Sequence, residues 1–264
     1  MSLLKATYTV LDTETTGLKQ EDRAVSLALV RVVEGVVQDH SYYLLNPQLP
    51  IPPETTAIHG ITDDDVKDAP TLDATLPDIC TQVLTTNAYV AHNAPFDRRM
   101  VPGITSLPWI DTLVMAHLVY PDLESYRNEA LREHLKLDCS AFVGNPHNAL
   151  YDAQVTARLF LHLIPLFVEK YPMVTTIPQL VTFLEEEDAK PRLLTTCFLP
   201  KHKGKKWADV DSGYLQWIVN NYRGNASVLY TASYWLEKRS SASSTRTTPV
   251  CDRLGWKVGA SKRF

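Results

Sequence analysis

The sequence predicts an α/β protein, with a mixed five-stranded sheet flanked by helices and a small basic α+β module after it. Three segments rich in β-branched and aromatic residues come first, at 7–11, 25–33 and 36–45. Short strands are predicted at 88–91 and 109–112, and these alternate with helical segments. A meander followed by strand–helix alternation is typical of a mixed sheet with helices on its faces.

Helices are predicted where apolar residues recur at spacings of three and four. An acidic helix start at 63–65 follows an irregular proline-containing crossing at 46–53. Further helices are expected after Asp97 and at 72–84, 112–119, 124–135, 148–164, 212–222 and 226–238. A chain of 264 residues can bury one domain of about 180 residues and a smaller second one.

The domain organisation follows from a shift in composition near residue 190. We expect a first domain at 1–170, a solvated linker at 171–191 that carries the acidic run 185–188, a basic module at 192–239 and a disordered tail at 240–264. Residues 1–189 hold 12 Lys and Arg against 26 Asp and Glu, whereas residues 190–264 hold 14 against 4. Such asymmetry fits a polyanion-binding part or a solubilising tail, and charge alone does not separate the two.

The compartment is predicted from what the sequence lacks. The N-terminus has no charged-then-apolar signal pattern, and no stretch approaches the roughly 20 apolar residues of a membrane span. The four cysteines are scattered, with no Cys-x-x-Cys pair, and we expect them to be reduced, packed thiols. We therefore expect a cytoplasmic protein without a membrane partner.

Two acids, Asp12 and Glu14, close the first predicted strand just before the turn Thr15-Thr16-Gly17. Because side chains alternate along a strand, the two carboxylates point to the same side and Thr13 points to the other. Adjacent carboxylates repel one another, and burying either is costly. A hard divalent cation would relieve both effects, although a pair of solvated acids at a strand end needs no ion.

Three further residues join this pair as candidates. Asp97 lies where a turn after the fourth strand becomes a helix, Asp152 lies in the first turns of the helix at 148–164, and His147 lies in the loop before it. Taken singly, each acid is explained as a helix-start carboxylate, and the histidine as an exposed or capping residue.

In this order the residues resemble the DEDDh family of 3′→5′ exonucleases, the ribonuclease-H-like proofreading type. The matching motifs are Asp12-x-Glu14-Thr15-Thr16-Gly17, His92-Asn93-Ala94-x-Phe96-Asp97 and His147-x₄-Asp152, with support from the segments 58–62 and 111–112. The resemblance covers about residues 6–165. It implies a ribonuclease-H-like fold and hydrolysis of DNA from 3′ ends to 5′-mononucleotides.

The resemblance also implies a two-metal mechanism with Mg²⁺, for which Mn²⁺ substitutes. In it Asp12 bridges both ions, Glu14 and Asp152 complete the site that holds the attacking water, and Asp97 positions the second ion. His147 would act as the general base, because imidazole accepts a proton near neutral pH.

Substrate contacts are expected around these residues. The turn at Thr15 and Gly17 should bring backbone N–H groups close to the terminal nucleotide. Leu18 either packs against the last base or covers the core. His59, His92 and Asn93 are secondary candidates for substrate contacts, and each is equally explained as a turn residue.

In the basic module we expect the loop lysines to contact phosphates, namely Lys201, Lys203, Lys205 and Lys206. Its aromatic residues are expected to pack the core rather than to stack on bases, namely Trp207, Tyr214, Trp217, Tyr222, Tyr230 and Trp235. The alternatives are RNA 3′-end trimming, a polymerase-associated proofreading role and, from a different class, a non-catalytic nucleic-acid-binding protein. The expected partner is the 3′ end of single-stranded or frayed duplex DNA, with RNA as the alternative.

Overall fold

The structure, a computed structural model, describes residues 2–104, 106–142 and 144–243. The chain divides into two compact units, with the boundary between Glu187 and Asp188. Residues 244–264, most of the predicted disordered tail, lie outside the described residues. The first part of that predicted tail, 240–243, belongs to a helix instead.

The predicted mixed five-stranded sheet is confirmed in the first unit, with the order β3-β2-β1-β4-β5. Its strands are β1 (Thr7–Thr15), β2 (Ala24–Val33), β3 (Val36–Leu44), β4 (Ala88–Ala91) and β5 (Trp109–Asp111). The β1, β2 and β3 strands pair antiparallel, whereas β4 pairs parallel with both β1 and β5. The carboxyl ends of β1, β4 and β5 therefore meet at one edge of the sheet.

The described residues of the first unit form eight helices around this sheet. They are α1 (Pro53–His59), α2 (Asp63–Val66), α3 (Leu72–Gln82), α4 (Ala94–Met100), α5 (Thr112–Val119), α6 (Asn128–His134), α7 (Ala149–Lys170) and α8 (Ile177–Asp188). The sequence did not predict α1, which starts at Pro53 inside the expected irregular crossing and ends at Gly60 in the left-handed region.

The central strand β1 is covered on both faces. Tyr8 and Val10 face α7 and share a core cluster with Phe160, whereas Leu11 faces the other way and packs with Ile79 of α3 and Met100 of α4. Elements from both sides can therefore bring side chains to the carboxyl end of β1.

Helical structure extends beyond the prediction in two places, because buried apolar side chains continue there. The α7 helix passes Pro165 and reaches Lys170, with Phe167 fully buried. The predicted linker at 171–191 contains α8, whose residues Leu180 and Leu184 pack into the core of the first unit. The acidic run lies at the end of α8 and is mostly exposed. Its charge favoured the prediction of a solvated linker, although the preceding residues form a helix with an apolar face.

The second unit is helical rather than α+β, which corrects the prediction. The expected strand at 192–198 reduces to one isolated bridge between Thr196 and Lys206. Side chains accept from some of the backbone N–H groups of this segment, and Leu194 N–H donates to the Thr231 hydroxyl at 2.9 Å. The helices of this unit are α9 (Ser212–Asn221) and α10 (Ala226–Ser243), and its core surrounds Trp207.

Within the described residues no helix has both the length and the apolar character needed to cross a bilayer. Cys80, Cys139 and Cys197 are free thiols, of which Cys197 alone is buried. The expectation of packed cysteines therefore holds only for Cys197 among these three.

The fold predicts a large stability loss for Phe160→Ala. This ring is fully buried and meets Tyr8 edge to face, with centroids 4.8 Å apart. Truncation should lower the free energy of unfolding by about 3–5 kcal/mol in urea melts of the full chain. Leu84→Ala is the matched control, because Leu84 is 77% exposed and should change stability by less than about 0.5 kcal/mol.

Candidate metal centre and its surroundings

Three acids converge at the carboxyl end of β1. Asp12, Glu14 and Asp152 each offer a carboxylate oxygen, and these oxygens lie within 4.8 Å of one another. Asp12 and Glu14 share the face of β1 that carries Tyr8 and Val10, against which α7 packs. Because Asp152 lies in the first turn of α7, that packing brings it to the pair.

Crowding and burial make this cluster electrostatically unfavourable without a cation. Burial and the charges of Asp152 and Asp97 raise the pKa of Glu14 from 4.5 to about 8. The pKa of Asp12 is raised well above its ordinary value by burial and by Asp97, Asp152 and Glu14. Burial raises the pKa of Asp152 to about 6, although the N–H of His147 opposes that rise.

Asp97 lies beside this cluster rather than within it. Its carboxyl group is buried, with 3% of the residue exposed, and Oδ1 accepts a 2.8 Å hydrogen bond from the hydroxyl of Thr13. Burial raises the pKa of Asp97 to about 7, against the lowering effect of the Thr13 hydroxyl. Thr13 points away from Asp12 and Glu14 as predicted, and its role is to hold the fourth acid.

A carboxylate that the sequence analysis did not assign to the site, Asp111, fixes the backbone near Asp97. At the end of β5 it accepts hydrogen bonds from the N–H groups of Leu113, Asn93 and Ala94 at 2.8, 3.0 and 3.1 Å. It thereby caps α5 and joins the ends of β4 and β5 to the start of α4, the helix that carries Asp97. Asn93 is exposed, with its backbone in the left-handed region at a φ of 71°.

His147 lies at the edge of the acid cluster. Its side chain is exposed, while its backbone N–H donates to Asp152 Oδ2 at 2.9 Å. Its φ of 65° is unusual for a residue other than glycine. The backbone is thus tied to an acid of the cluster and the imidazole faces solvent.

The turn after β1 is built around Asp22 and Gly17. The carboxylate of Asp22 accepts from the Thr16 hydroxyl at 3.1 Å and from the N–H of Lys19 at 2.6 Å. A Cβ on Gly17 would lie 2.5 Å from Asp22 Oδ2, so this position needs glycine for close approach. Leu18 is 80% exposed, which excludes the interpretation that it covers the core.

Two side chains hold this turn by hydrogen bonds, one from α4 and one from the turn itself. Arg99 donates to the carbonyl of Leu18 at 3.0 Å, and the Thr15 hydroxyl donates to the carbonyl of Gly17 at 2.7 Å. The role of Arg99 was not predicted, but the sequence offers one indication of it. Arg99 belongs to a basic pair that directly follows Asp97 in an otherwise acidic domain.

Two of the candidate histidines have internal roles. His92 uses both ring nitrogens, with Nδ1 2.9 Å from the Thr112 hydroxyl and Nε2 2.7 Å from the carbonyl of Tyr126. Burial lowers its pKa to about 4, so it is a neutral bridge between β4, α5 and the loop at 126. His59 Nδ1 accepts from the N–H of Ile61 at 3.0 Å, and burial lowers the pKa of its imidazole.

In the second unit the loop lysines are exposed, at positions 201, 203, 205 and 206. The expectation that the aromatic residues pack the core holds for Trp207, which is fully buried, but not for Trp217, which is 50% exposed. Helical spacing explains the difference, because Leu215 and Ile218 occupy the inward face of α9.

The donor set fits a hard divalent cation. Three carboxylates with raised pKa values lie within reach of one ion, and oxygen ligands of this kind suit Mg²⁺ or Mn²⁺. A bound cation would offset the mutual repulsion and favour the ionised carboxylates.

Comparisons with known proteins agree with this arrangement. The model of the RNase T exonuclease family matches residues 9–160. The chain is similar to exodeoxyribonuclease 10 of Escherichia coli K12, with 33% identity over 233 residues that cover 86% of this chain and 98% of that protein. It is also similar to the PolC-type DNA polymerase III of Oceanobacillus iheyensis, with 34% identity over 64% of this chain but 12% of the polymerase.

Solved structures of exonucleases also match this chain. Exonuclease X in complex with 5′ overhanging duplex DNA matches with a TM-score of 0.57 and 32% identity, over 67% of this chain and 99% of that one. E. coli exonuclease I in complex with a dA16 oligonucleotide shares the fold, with a TM-score of 0.52 and 20% identity over 62% of this chain and 43% of that one.

The raised pKa values predict that Mg²⁺ stabilises the protein more at pH 8 than at pH 5.5. Folded Glu14 keeps a proton that the unfolded chain has released, so stability without metal falls as the pH rises from about 4.5 to about 8. Above that window the ionised cluster would bind a divalent cation. At 100-fold excess over Kd the gain is about 2.7 kcal/mol, or roughly 5–10 °C in melting temperature.

The measurement is a thermal melt of the full chain with EDTA or Mg²⁺ at the two pH values. Asp12→Asn should reduce the difference made by Mg²⁺, and Asp39→Asn, an exposed position on β3, should leave it unchanged. An equal stabilisation at both pH values would contradict the assignment.

Proposed function

This chain belongs to the RNase T family of DEDD-type exonucleases and is a phosphodiester hydrolase, and from that premise we propose that it removes 5′-mononucleotides from the 3′ ends of DNA in a metal-dependent reaction. The observation that carries the proposal is the convergence of Asp12, Glu14 and Asp152 within 4.8 Å, with Asp97 beside them. DNA as the substrate is supported by the name of the E. coli relative and by the duplex bound in the solved exonuclease X structure.

Asp12, Glu14 and Asp152 would hold one Mg²⁺, and Asp97 together with Asp12 would hold a second, with Mn²⁺ as a substitute. When bound, a pair of such ions activates water and neutralises the charge that develops on the phosphate and leaving oxygens. The carboxylates contribute fixed negative charge on rigid elements, since β1 and α7 pack directly on one another.

His147 is the general base of the proposed mechanism. The hydrogen bond from its backbone N–H to Asp152 keeps it beside the acids, and its exposed imidazole is free to take a proton from the attacking water. Neither His59 nor His92 suits that role, because each has a ring nitrogen bonded to the protein's own groups and a lowered pKa.

The substrate contacts belong to the proposal as well. Thr15, Gly17 and exposed Leu18 form the turn beside the acids, where Leu18 would pack against the terminal base. Asn93 offers an exposed amide at the end of β4, and His59 supports the turn from its half-buried position. The loop lysines at 201, 203, 205 and 206 would contact phosphates.

A second candidate function, proofreading beside a polymerase, is supported by the similarity to PolC-type polymerases. RNA trimming keeps the same chemistry with another sugar. Initial rates on matched single-stranded DNA, duplex DNA and RNA separate these substrates, and a rate on RNA above that on DNA would overturn the preference for DNA.

The site predicts that the acids and His147 are each required for turnover. Asp12→Asn, Glu14→Gln, Asp97→Asn and Asp152→Asn should each lower the rate roughly 10³-fold, equivalent to about 4 kcal/mol, and His147→Ala should lower it about 10²–10⁴-fold. The assay follows 3′-labelled and 5′-labelled oligonucleotides with Mg²⁺, and Asp39→Asn is the control.

A 3′ label should appear at once as mononucleotide, while a 5′ label should appear in a ladder of shortened strands. Internal cleavage, or no release with either Mg²⁺ or Mn²⁺, would refute the exonuclease proposal. Binding that survives with no turnover in any form of the chain would favour the non-catalytic alternative.

Thr13 is predicted to set the Mg²⁺ requirement through Asp97. Thr13→Val removes the hydroxyl that bonds the carboxylate, so the pKa of Asp97 should rise further and protonation should compete with the ion. A hydrogen bond to a charged group contributes about 1.5–3 kcal/mol. The Mg²⁺ concentration that gives half the maximal rate should therefore rise at least roughly tenfold. Thr13→Ser should restore the normal requirement, and an unchanged Mg²⁺ dependence in Thr13→Val would disprove the link.

A further inference from the structure

The second unit carries a pair of stacked aromatic rings on its surface. On α9 the rings of Tyr214 and Trp217 are parallel to within 5°, with centroids 5.7 Å apart. Trp217 is 50% exposed and Tyr214 is half-buried. The ammonium group of Lys201 lies 4.8 Å from the centroid of the Tyr214 ring. We call these three residues the aromatic platform.

Trp217 lies outside the core of the second unit, whereas Tyr214 is partly buried and packs against it. That core is formed by Trp207, Leu215 and Ile218 with residues of α10, all fully buried. Trp217 is half exposed while its ring stacks on that of Tyr214, and exposed aromatic surface of this kind suits a planar ligand.

Positive charge surrounds the platform. Lys201 belongs to the same loop as Lys203, Lys205 and Lys206, and all four side chains are exposed. The loop is fixed to the unit, because Gly204 N–H donates to the Cys197 carbonyl at 2.8 Å and Cys197 N–H donates to the Lys205 carbonyl at 2.7 Å. Gly204 adopts a φ of 86°, which favours glycine, so the turn presents its lysines from a defined backbone.

One acid, Asp211, interacts with the charge of Lys201 but does not outweigh the loop lysines. Asp211 caps α9 by accepting from the N–H of Tyr214 at 2.8 Å, and its other oxygen lies 3.1 Å from His202 Nε2. Over 188–243 the second unit has nine lysines and arginines against four acids. A polyanion with flat, stackable groups therefore matches the platform better than an acidic peptide does.

We propose that the aromatic platform binds unpaired nucleobases by stacking on Trp217, while Lys201 and the neighbouring loop lysines contact the adjacent phosphates. The site would be tolerant of sequence, because every base has an aromatic face. The proposal rests on the proposed function only in taking single-stranded nucleic acid as the ligand. It assigns to the second unit a binding role separate from the acids of the first.

The test uses the full chain with Asp12→Asn, in EDTA, so that the strand is not hydrolysed. Fluorescence anisotropy compares a labelled oligothymidine with an abasic strand of the same length and charge. The platform predicts tighter binding of oligothymidine, and Trp217→Ala should weaken that binding roughly 5- to 100-fold with little effect on the abasic strand. Trp217→Phe should retain most of the affinity.

Gln216→Ala is the matched control, because Gln216 is the exposed neighbour of Trp217 on the same helix. Equal affinity of Trp217→Ala and Gln216→Ala for oligothymidine would overturn the platform. So would an equal loss on both strands, which would mean that the lost affinity does not come from stacking on bases. Circular dichroism of each variant identifies a folding defect, and Trp217→Gln, which removes the aromatic ring but keeps a long side chain, then serves as the test in place of Trp217→Ala.

Failure of the platform and failure of the proposed function give different results. If the wild-type chain degrades DNA while Trp217→Ala binds oligothymidine as tightly as the control, only the platform is wrong. If the wild-type chain releases no nucleotide but oligothymidine binding still depends on Trp217, the platform stands and the exonuclease proposal fails.

Discussion

Repulsion among carboxylates at the end of β1 is the constraint on which the site depends. The sheet holds Asp12 and Glu14 side by side, and α7 holds Asp152 against them, so none of the three can move away without disturbing the core. Burial raises the pKa of all three acids, and the neighbouring carboxylates raise the pKa values of Asp12 and Glu14 further. A fold that pre-arranges repelling ligands needs little rearrangement when a cation binds, which is the advantage of building such a centre on packed elements.

The pair Asp12 and Glu14 could be predicted from the sequence because both acids lie in one strand, where alternation alone decides their direction. The approach of Asp152 and Asp97 could not be derived in that way. It depends on which face of the sheet α7 and α4 cover, and only the resemblance of ordered motifs anticipated it. The supporting residues Thr13 and Asp111 were missed, since their contacts join β1 to α4 and β5 to the end of β4.

The errors outside the site share a physical origin. The acidic run at 185–188 led to the prediction of a linker where α8 lies. Ile177, Leu180 and Leu184 nevertheless keep a helical spacing and pack into the core. The segment at 192–198 does not form the expected strand, and hydroxyl groups of α10 accept from the backbone N–H groups of Arg192 and Leu194 instead. Local composition is a weak guide where a neighbouring element supplies either the apolar contact or the hydrogen bond.

The two units divide the electrostatic problem of holding a polyanion. The first unit carries far more acid than base, which suits cation binding and opposes a phosphate backbone. Divalent ions offset that opposition only beside the acids. In the proposed roles, the second unit would supply lysines for phosphates and an aromatic ring for bases, and the two contributions would respond differently to salt. Phosphate contacts weaken as ionic strength rises, whereas stacking persists, so an aromatic platform would retain a strand where lysines alone would release it.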